Sequence, residues 1–442
     1  MLRRDFFKYT SVAAAMALMP QTANAQTTTY TGPLWIFIQA SGGWDPTSFC
    51  DPKGYSEVTN SNGDLVMESD PMNKSYKKSE IATNSQGVRY APLRANDGIQ
   101  DYDFADFFTN NADDLLVING IDTQTNGHAS GSRYMMSGKL AEGYPALSAL
   151  IAGINMPSAP LSFITAGGYD ETDGVVAGTR LSNMNAMNEL AYVNRQKIDN
   201  DEVINYKHPT VFERILKARE ERTLRIIDKQ KLQSIKNLAK QYNLAHTGSN
   251  ELAKLVEYIP EDIDTHEYRQ NDVFAQGRFA MAGYKAGLTT SVNINISGFD
   301  THGNHDNNHL PRLARLLKGV ELLKEDAKNQ GISDKVVFII GSEFGRTPGY
   351  NQGNGKDHWS VSSMMFMGSA IKRKGVIGET TDQHNLLSIN PSTLERDDGG
   401  IQITYGHINK ALRKLAGIEQ NELITQYYPL SADIEELNLF GI

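Results

Sequence analysis

Five short runs of apolar, β-branched and aromatic residues constrain this chain most: Leu34–Ala40 (LWIFIQA), Leu115–Ile118 (LLVI), Leu161–Thr165 (LSFIT), Ser291–Ile296 (SVNINI) and Val336–Ile340 (VVFII). Each ends in glycine or polar residues. Near-continuous apolar runs separated by helical stretches read as strands buried on both faces of a mostly parallel sheet. Pro311 to Lys328 is one such helix: Leu313, Leu316, Leu317, Val320 and Leu323 recur at helical spacing, Pro311 sits near the first turn and Gly331 lies past the end. The expected fold class is therefore α/β, a mostly parallel sheet sandwiched by helices.

Between the third and fourth runs the pattern changes. Residues 174–290 contain the charged helical stretch Val211 to Leu244, with a partial apolar stripe at Ile215, Leu216, Ile226, Ile227, Ile235 and Leu238. This region reads as a helical insertion on the α/β core, either a cap over a substrate pocket or a peripheral bundle. Asn60 to Asp101 is polar and turn-rich, a long surface excursion.

The N-terminus carries Arg3-Arg4-Asp5-Phe6-Phe7-Lys8, a short apolar stretch from Ser11 to Met19, and the small-x-small site Ala23-Asn24-Ala25. That order predicts a twin-arginine export signal over residues 1–25, recognised by the twin-arginine machinery and removed from a mature chain of 26–442. The expected location is the periplasm or the medium. No later segment is long and apolar enough for a membrane span. A formal charge of -9 argues against a nucleic-acid partner.

Ser297 to His309 (SGFDTHGNHDNNH) holds three of the ten histidines and two aspartates, directly after the fourth run. In an open α/β sheet, ligands gather outside the carboxyl ends of the strands. Asp45 after the first run, His128 after the second, Asp300 and His302 after the fourth and Glu343 after the fifth can thus meet, and Gly355-Lys356-Asp357-His358 adds another acid–imidazole pair. With one cysteine in the chain, a metal must be held by oxygen and nitrogen. The mixture suits one or two divalent ions, Zn²⁺, Mn²⁺, Mg²⁺ or Ca²⁺. Each piece has a structural alternative: Asp45 as a turn residue, His305 and Asp306 at a helix start, Glu343 and Arg346 as an ion pair.

GGWD after the first strand, GFDTH, SEFGRT and GKDHW, in this order, resemble an exported bacterial family of unknown function grouped with the alkaline phosphatase superfamily. The resemblance implies an alkaline phosphatase-like core and a two-metal, phosphatase-like site. Asp45 and Glu343 would be similar to ligands of the first metal. Asp300, His302 and His358 would be similar to ligands of the second, with Asp357 or His305 as additions. Where the superfamily has Asp-His at the fifth strand, this chain has Glu343-Phe344. Where it has a Ser or Thr nucleophile at a helix start, this chain has His128, with Ser130 and Ser132 in reach; His128 is a nucleophile, a base or a ligand. Arg346 and Arg133 are candidates to clamp an anion. Cys50-Asp51-Pro52 lacks the arginine of the sulfatase formylglycine signal, so Cys50 reads as a small buried residue.

Two functions stay open. One is an exported metal-dependent hydrolase of a phosphate or sulfate ester, its substrate a small molecule or a polymer. The other is a non-catalytic metal-binding or structural protein on the same scaffold.

Overall fold

In this computed structural model the described residues are 30–180, 193–199, 202–232 and 271–442, with scattered positions between 235 and 259. The export signal expected over residues 1–25 lies outside them, as do most of the residues between 233 and 244.

A nine-stranded sheet organises the chain. Its strands are β1 Leu34–Ser41, β2 Leu115–Asp122, β3 Phe163–Thr165, β4 Gly178–Arg180, β5 Ser291–Ser297, β6 Val336–Gly341, β7 Val361–Met367, β8 Gly375–Ile377 and β9 Ile403–Thr404. They lie in the order β4-β3-β5-β1-β6-β7-β2-β8, with β9 also on β2. Every adjacent pair is parallel except those made by β7, which runs against β6 and β2. The start of β7 therefore shares an edge with the carboxyl ends of its neighbours.

Alternation along the strands feeds two separate cores. Leu34, Ile36, Ile38 and Ala40 of β1 enter one, with Val336, Phe338 and Ile340 of β6. Trp35 and Phe37 enter the other, with Val337 and Ile339. Successive side chains on a strand point to opposite faces, so a run apolar at every position needs cover on both. The helices supply it. Those used below are α1 His128–Ser137, α2 Leu147–Asn155, α3 Pro209–Lys229, α4 Asp272–Lys285, α5 His305–Asn329 and α6 Tyr405–Leu415. Met281 of α4 and Leu313, Leu316 and Val320 of α5 close the first core. Met135 of α1, Leu150 of α2 and Ile408 of α6 close the second.

The fold class is as the runs predict, a mixed α/β arrangement with a mostly parallel central sheet. Three details differ. Helix α5 begins at His305, so Pro311 lies inside it. The extra turns are held from outside the helix, where His305 N donates to Asn354 O at 2.7 Å and Asn304 turns with φ 47°. The charged helix α3 ends at Lys229 and buries none of its residues. Strand β7 (VSSMMFM), fully buried, is not among the five runs: its methionines and serines carry a weak strand signal. The excursion 60–101 contributes to three small hairpins. Among the described residues no helix is long and apolar enough to cross a membrane.

Candidate metal centre

The loop after β1 turns on Gly42 and Gly43, with φ of 125° and 88°. A Cβ on Gly42 would stand 2.2 Å from the backbone nitrogen of Asp300, so only glycine lets this loop lie against the one after β5. Helix α1 starts at His128, beside the end of β6. Gly345–Arg346 pairs antiparallel with His358–Trp359, with Arg346 opposite His358, just before β7. The ends of β2 and β5 and the start of β7 thus bring His128, Asp300, His302 and His358 to one edge of the sheet.

Each imidazole has its Nδ1 engaged from behind. His358 Nδ1–H donates to Asn126 O at 2.8 Å, His302 Nδ1–H to Asp357 Oδ1 at 2.7 Å, and His128 Nδ1–H to Glu343 Oε1 at 3.0 Å. The tautomers that follow leave three Nε2 lone pairs pointing inward. They meet around one carboxylate: Asp300 lies 3.0 Å from His302 Nε2, 3.2 Å from His358 Nε2 and 3.5 Å from His128 Nε2. His302 and His358 Nε2 are 3.1 Å apart. Two bare lone pairs at that distance repel, so the arrangement calls for a positive charge among them, a proton or a cation. Imidazoles backed by carboxylates or carbonyls are how histidine ligands are usually oriented. One donor atom from each of His128, Asp300 and His358 falls within 4.8 Å of the others, compact enough for a single ion. The donor set fits a divalent metal.

The charges of the centre are set by its neighbours. Burial raises the Asp300 carboxyl, but the hydrogen bond and charge of Arg346, with the imidazoles around it, win and hold it at about 2. The Glu343 hydrogen bond holds His128 above the ordinary imidazole range, against partial desolvation. The side chains of Asp300, His128 and His302 are 47%, 45% and 47% exposed, so a ligand can reach them from solvent. Phe344 is wholly buried, with its ring 4.3 Å from that of His358.

Arg346, expected as an anion clamp, is fully buried. Its Nε donates to Gly43 O at 2.9 Å and its Nη1 to Lys356 O at 2.9 Å, while Nη2 serves Gly42 O and Asp300 Oδ1, the latter at 2.7 Å. It ties the three loops together and steadies Asp300, with no face left for a substrate. It pairs with Asp300 and not with Glu343.

Asp45, expected as a ligand, is placed apart from this cluster. It is fully buried, and its Oδ2 meets Lys356 Nζ at 2.6 Å and His305 Nε2 at 3.1 Å. Thr47 N and Oγ1 occupy Oδ1 at 3.0 and 2.7 Å. A closed relay runs through this network. Asp45 N–H donates to His309 Nε2 at 2.9 Å, which puts the His309 hydrogen on Nδ1, facing Thr301 Oγ1 at 3.2 Å. The Thr301 hydroxyl donates to His305 Nδ1 at 2.6 Å, and His305 Nε2–H returns to Asp45. Both histidines are neutral here: desolvation pulls His305 below its usual value and His309 well below it. Burial raises Asp45, yet the Lys356 ammonium and His305 hold it well below the carboxylate range. A lysine ammonium thus stands as the cation for Asp45. The network locks Lys356, and with it Asp357 and His358, against Thr301 and its neighbours Asp300 and His302.

The other expected residues fall around this core. Glu343 and Asp357 contact imidazole Nδ1 atoms from outside. Ser130 Oγ bonds Thr125 Oγ1 at 2.6 Å and Gly127 O at 3.1 Å, within its own helix start. Ser132 Oγ accepts from Gln39 Nε2 at 2.7 Å. Arg133 faces Leu140 O and Glu142. Cys50 is buried and free. Sequence reading missed His309, although His305 and His309 stand four apart on one helix, the spacing that stacks two side chains on one face.

Solved structures to which this chain is similar include Ps i-CgsB in complex with k-i-k-neocarrahexaose, at 9% identity and TM-score 0.37 over 93% of this chain and 76% of that one. The lipoteichoic acid synthase LtaP from Listeria monocytogenes gives 8% and 0.34 over 93% and 79%. An alkaline phosphatase from the Antarctic bacterium TAB5 gives 9% and 0.34 over 88% and 100%. A search of curated proteins found no match. A family model, described as a protein of unknown function (DUF1501), matches residues 34–394 of the 442, and the chain belongs to that family.

Proposed function

We propose that this protein is an exported, metal-dependent hydrolase of a phosphate or sulfate ester, with its centre at His128, Asp300, His302 and His358. The observation that carries the reading is the convergence of three Nε2 lone pairs on one ionised, solvent-open carboxylate, each imidazole being fixed through Nδ1. A divalent ion bound there would polarise an ester oxygen and lower the pKa of a water. His128, Asp300 and His358 would hold it. His302, with Asp357 behind its Nδ1, would take the proton of the attacking water on Nε2 and pass it to the leaving alkoxide, the carboxylate steadying the imidazolium in between. Arg346 keeps Asp300 oriented and ionised. The twin-arginine signal and the export route belong to the same proposal.

One observation favours a second reading, a metal-binding or structural role without turnover. Arg346 already neutralises Asp300 at 2.7 Å, which weakens its hold on a divalent ion. A panel of aryl phosphates and aryl sulfates with Zn²⁺, Mn²⁺, Mg²⁺ or Ca²⁺ added back decides between them. Turnover of one ester class, lost in His302→Ala, supports the hydrolase. Silence across both classes, with metal bound, selects the second reading.

A further inference from the structure

The turn 351–355 (NQGNG) is pressed against the loop that carries Asp300 and His302. Gly303 and Asn354 form an antiparallel bridge, and Asn304 N donates to Gly353 O at 2.9 Å. A Cβ on Gly355 would stand 1.9 Å from the carbonyl carbon of His302, so only glycine lets the two backbones touch there.

Asn351 uses both ends of its amide at this contact. Its Oδ1 accepts from Gly353 N and Gly355 N, each at 2.9 Å, which closes the turn. Its Nδ2 is directed the other way, to His302 O at 3.0 Å and Asp357 Oδ1 at 3.3 Å. Two backbone N–H groups need the oxygen, and a carbonyl and a carboxylate need the NH₂, so the amide has one orientation that serves all four. Asp357 Oδ1 is the same oxygen that takes His302 Nδ1–H at 2.7 Å.

The backbone of Asp357 is fixed on both sides by Thr347: Thr347 N donates to Asp357 O at 2.9 Å, and Asp357 N to Thr347 Oγ1 at 3.0 Å. Its carboxylate is not. The side chain is 57% exposed, and among the described residues its hydrogen-bond partners are His302 and Asn351. The His302 hydrogen bond holds the Asp357 carboxyl below its usual range, and the Asn351 hydrogen bond adds to the effect. Without Asn351, a solvent-open carboxylate would be held in place only by the imidazole it has to orient.

We propose that Asn351 is a positioning residue for His302. It clamps the Asp357 carboxylate and the His302 carbonyl to one turn, so that the imidazole keeps its hydrogen on Nδ1 and turns a bare Nε2 toward the metal centre. The effect on turnover rests on the hydrolase reading above; the effect on the imidazole does not.

Asn351→Asp separates the two ends of the amide. It keeps an oxygen for Gly353 and Gly355 N–H, so the turn survives, and sets a carboxylate where Nδ2 served Asp357, so the two like charges part. Asn351→Ser is the second variant, its hydroxyl able to cap the same turn but too short to reach Asp357. Nitrogen NMR of the metal-free full chain, labelled at histidine and held at a pH where the imidazoles are neutral, reads the tautomer, with His302→Ala assigning the signal. His302 should be the Nδ1–H form in the unaltered protein and a mixture of both forms in either variant. In ester hydrolysis each variant should lower kcat by about tenfold or more, with KM and metal content unchanged. In an Asp357→Asn background, Asn351→Asp should cost nothing further, since both act through one carboxylate. An unchanged His302 tautomer in the folded variants overturns the proposal, as does an unchanged kcat. A chain that hydrolyses no ester sinks the hydrolase reading instead, and the nitrogen shifts then decide for or against Asn351 by themselves.

Discussion

The closed relay around Asp45 makes the stability of this protein steeply dependent on pH, and His309 is the place to measure it. His309 is 0% exposed, and its two ring nitrogens are committed to Asp45 N–H and Thr301 Oγ1. Burial holds its folded pKa well below the ordinary value, so the unfolded chain takes up the proton first. A depressed imidazole pKa gives stability that is full above the unfolded pKa of about 6.5 and is lost as pH falls toward the folded value. Between about pH 7 and pH 5.5 one histidine kept neutral in the fold costs about 1.3 kcal/mol. His309→Gln keeps an acceptor for Asp45 N–H and a donor for Thr301 but removes the titration. Urea unfolding of both proteins at those two pH values, with chelator present throughout, isolates the difference. The unaltered protein should lose about 1.3 kcal/mol more than the variant over that interval. Equal losses would show that His309 titrates alike in folded and unfolded chains, and the relay as drawn would fall.

The same network predicts that Lys356→Met, which strands the Asp45 carboxylate in the interior, destabilises the fold by about 3–5 kcal/mol in urea unfolding. Asp45→Asn should also lower the melting temperature, yet metal bound per folded chain should stay unchanged, because Asp45 stands outside the cluster of donors. Gly42→Ala should lower the melting temperature and metal content together, since its methyl group would displace the Asp300 backbone. If His302 takes the proton in ester hydrolysis, Asp357→Asn should lower kcat while metal content stays unchanged, because the carboxylate that orients the imidazole through Nδ1 is gone. An unchanged kcat would assign the proton to another group.

The sheet could be read from β1 and β6 because strands buried on both faces are apolar at nearly every position, and from β5 because Val292, Ile294 and Ile296 alternate with polar residues. Strand β7 could not, since Ser362, Ser363 and its methionines look like loop or helix until the neighbouring strands bury them. The approach of His128 to Asp300 and His302 follows from strand ends, while His358 joins them through the acid–imidazole segment Gly355–His358 that follows Glu343. What sequence does not carry is which buried anion meets which cation. Asp45 and Lys356 are 311 residues apart, and only the folded loops show an ammonium where a metal was expected. Arg346 looks in sequence like any arginine beside a strand end; its burial is what turns it from a clamp for substrate into a brace for Asp300.

Metal content per chain bears most directly on the centre. The purified full chain, passed through gel filtration, should carry divalent metal by elemental analysis. His358→Ala and Asp300→Ala, confirmed as folded, should lose it and melt at lower temperature. A folded, unaltered protein that carries no divalent metal and takes up none when Zn²⁺ or Mn²⁺ is added would contradict the account.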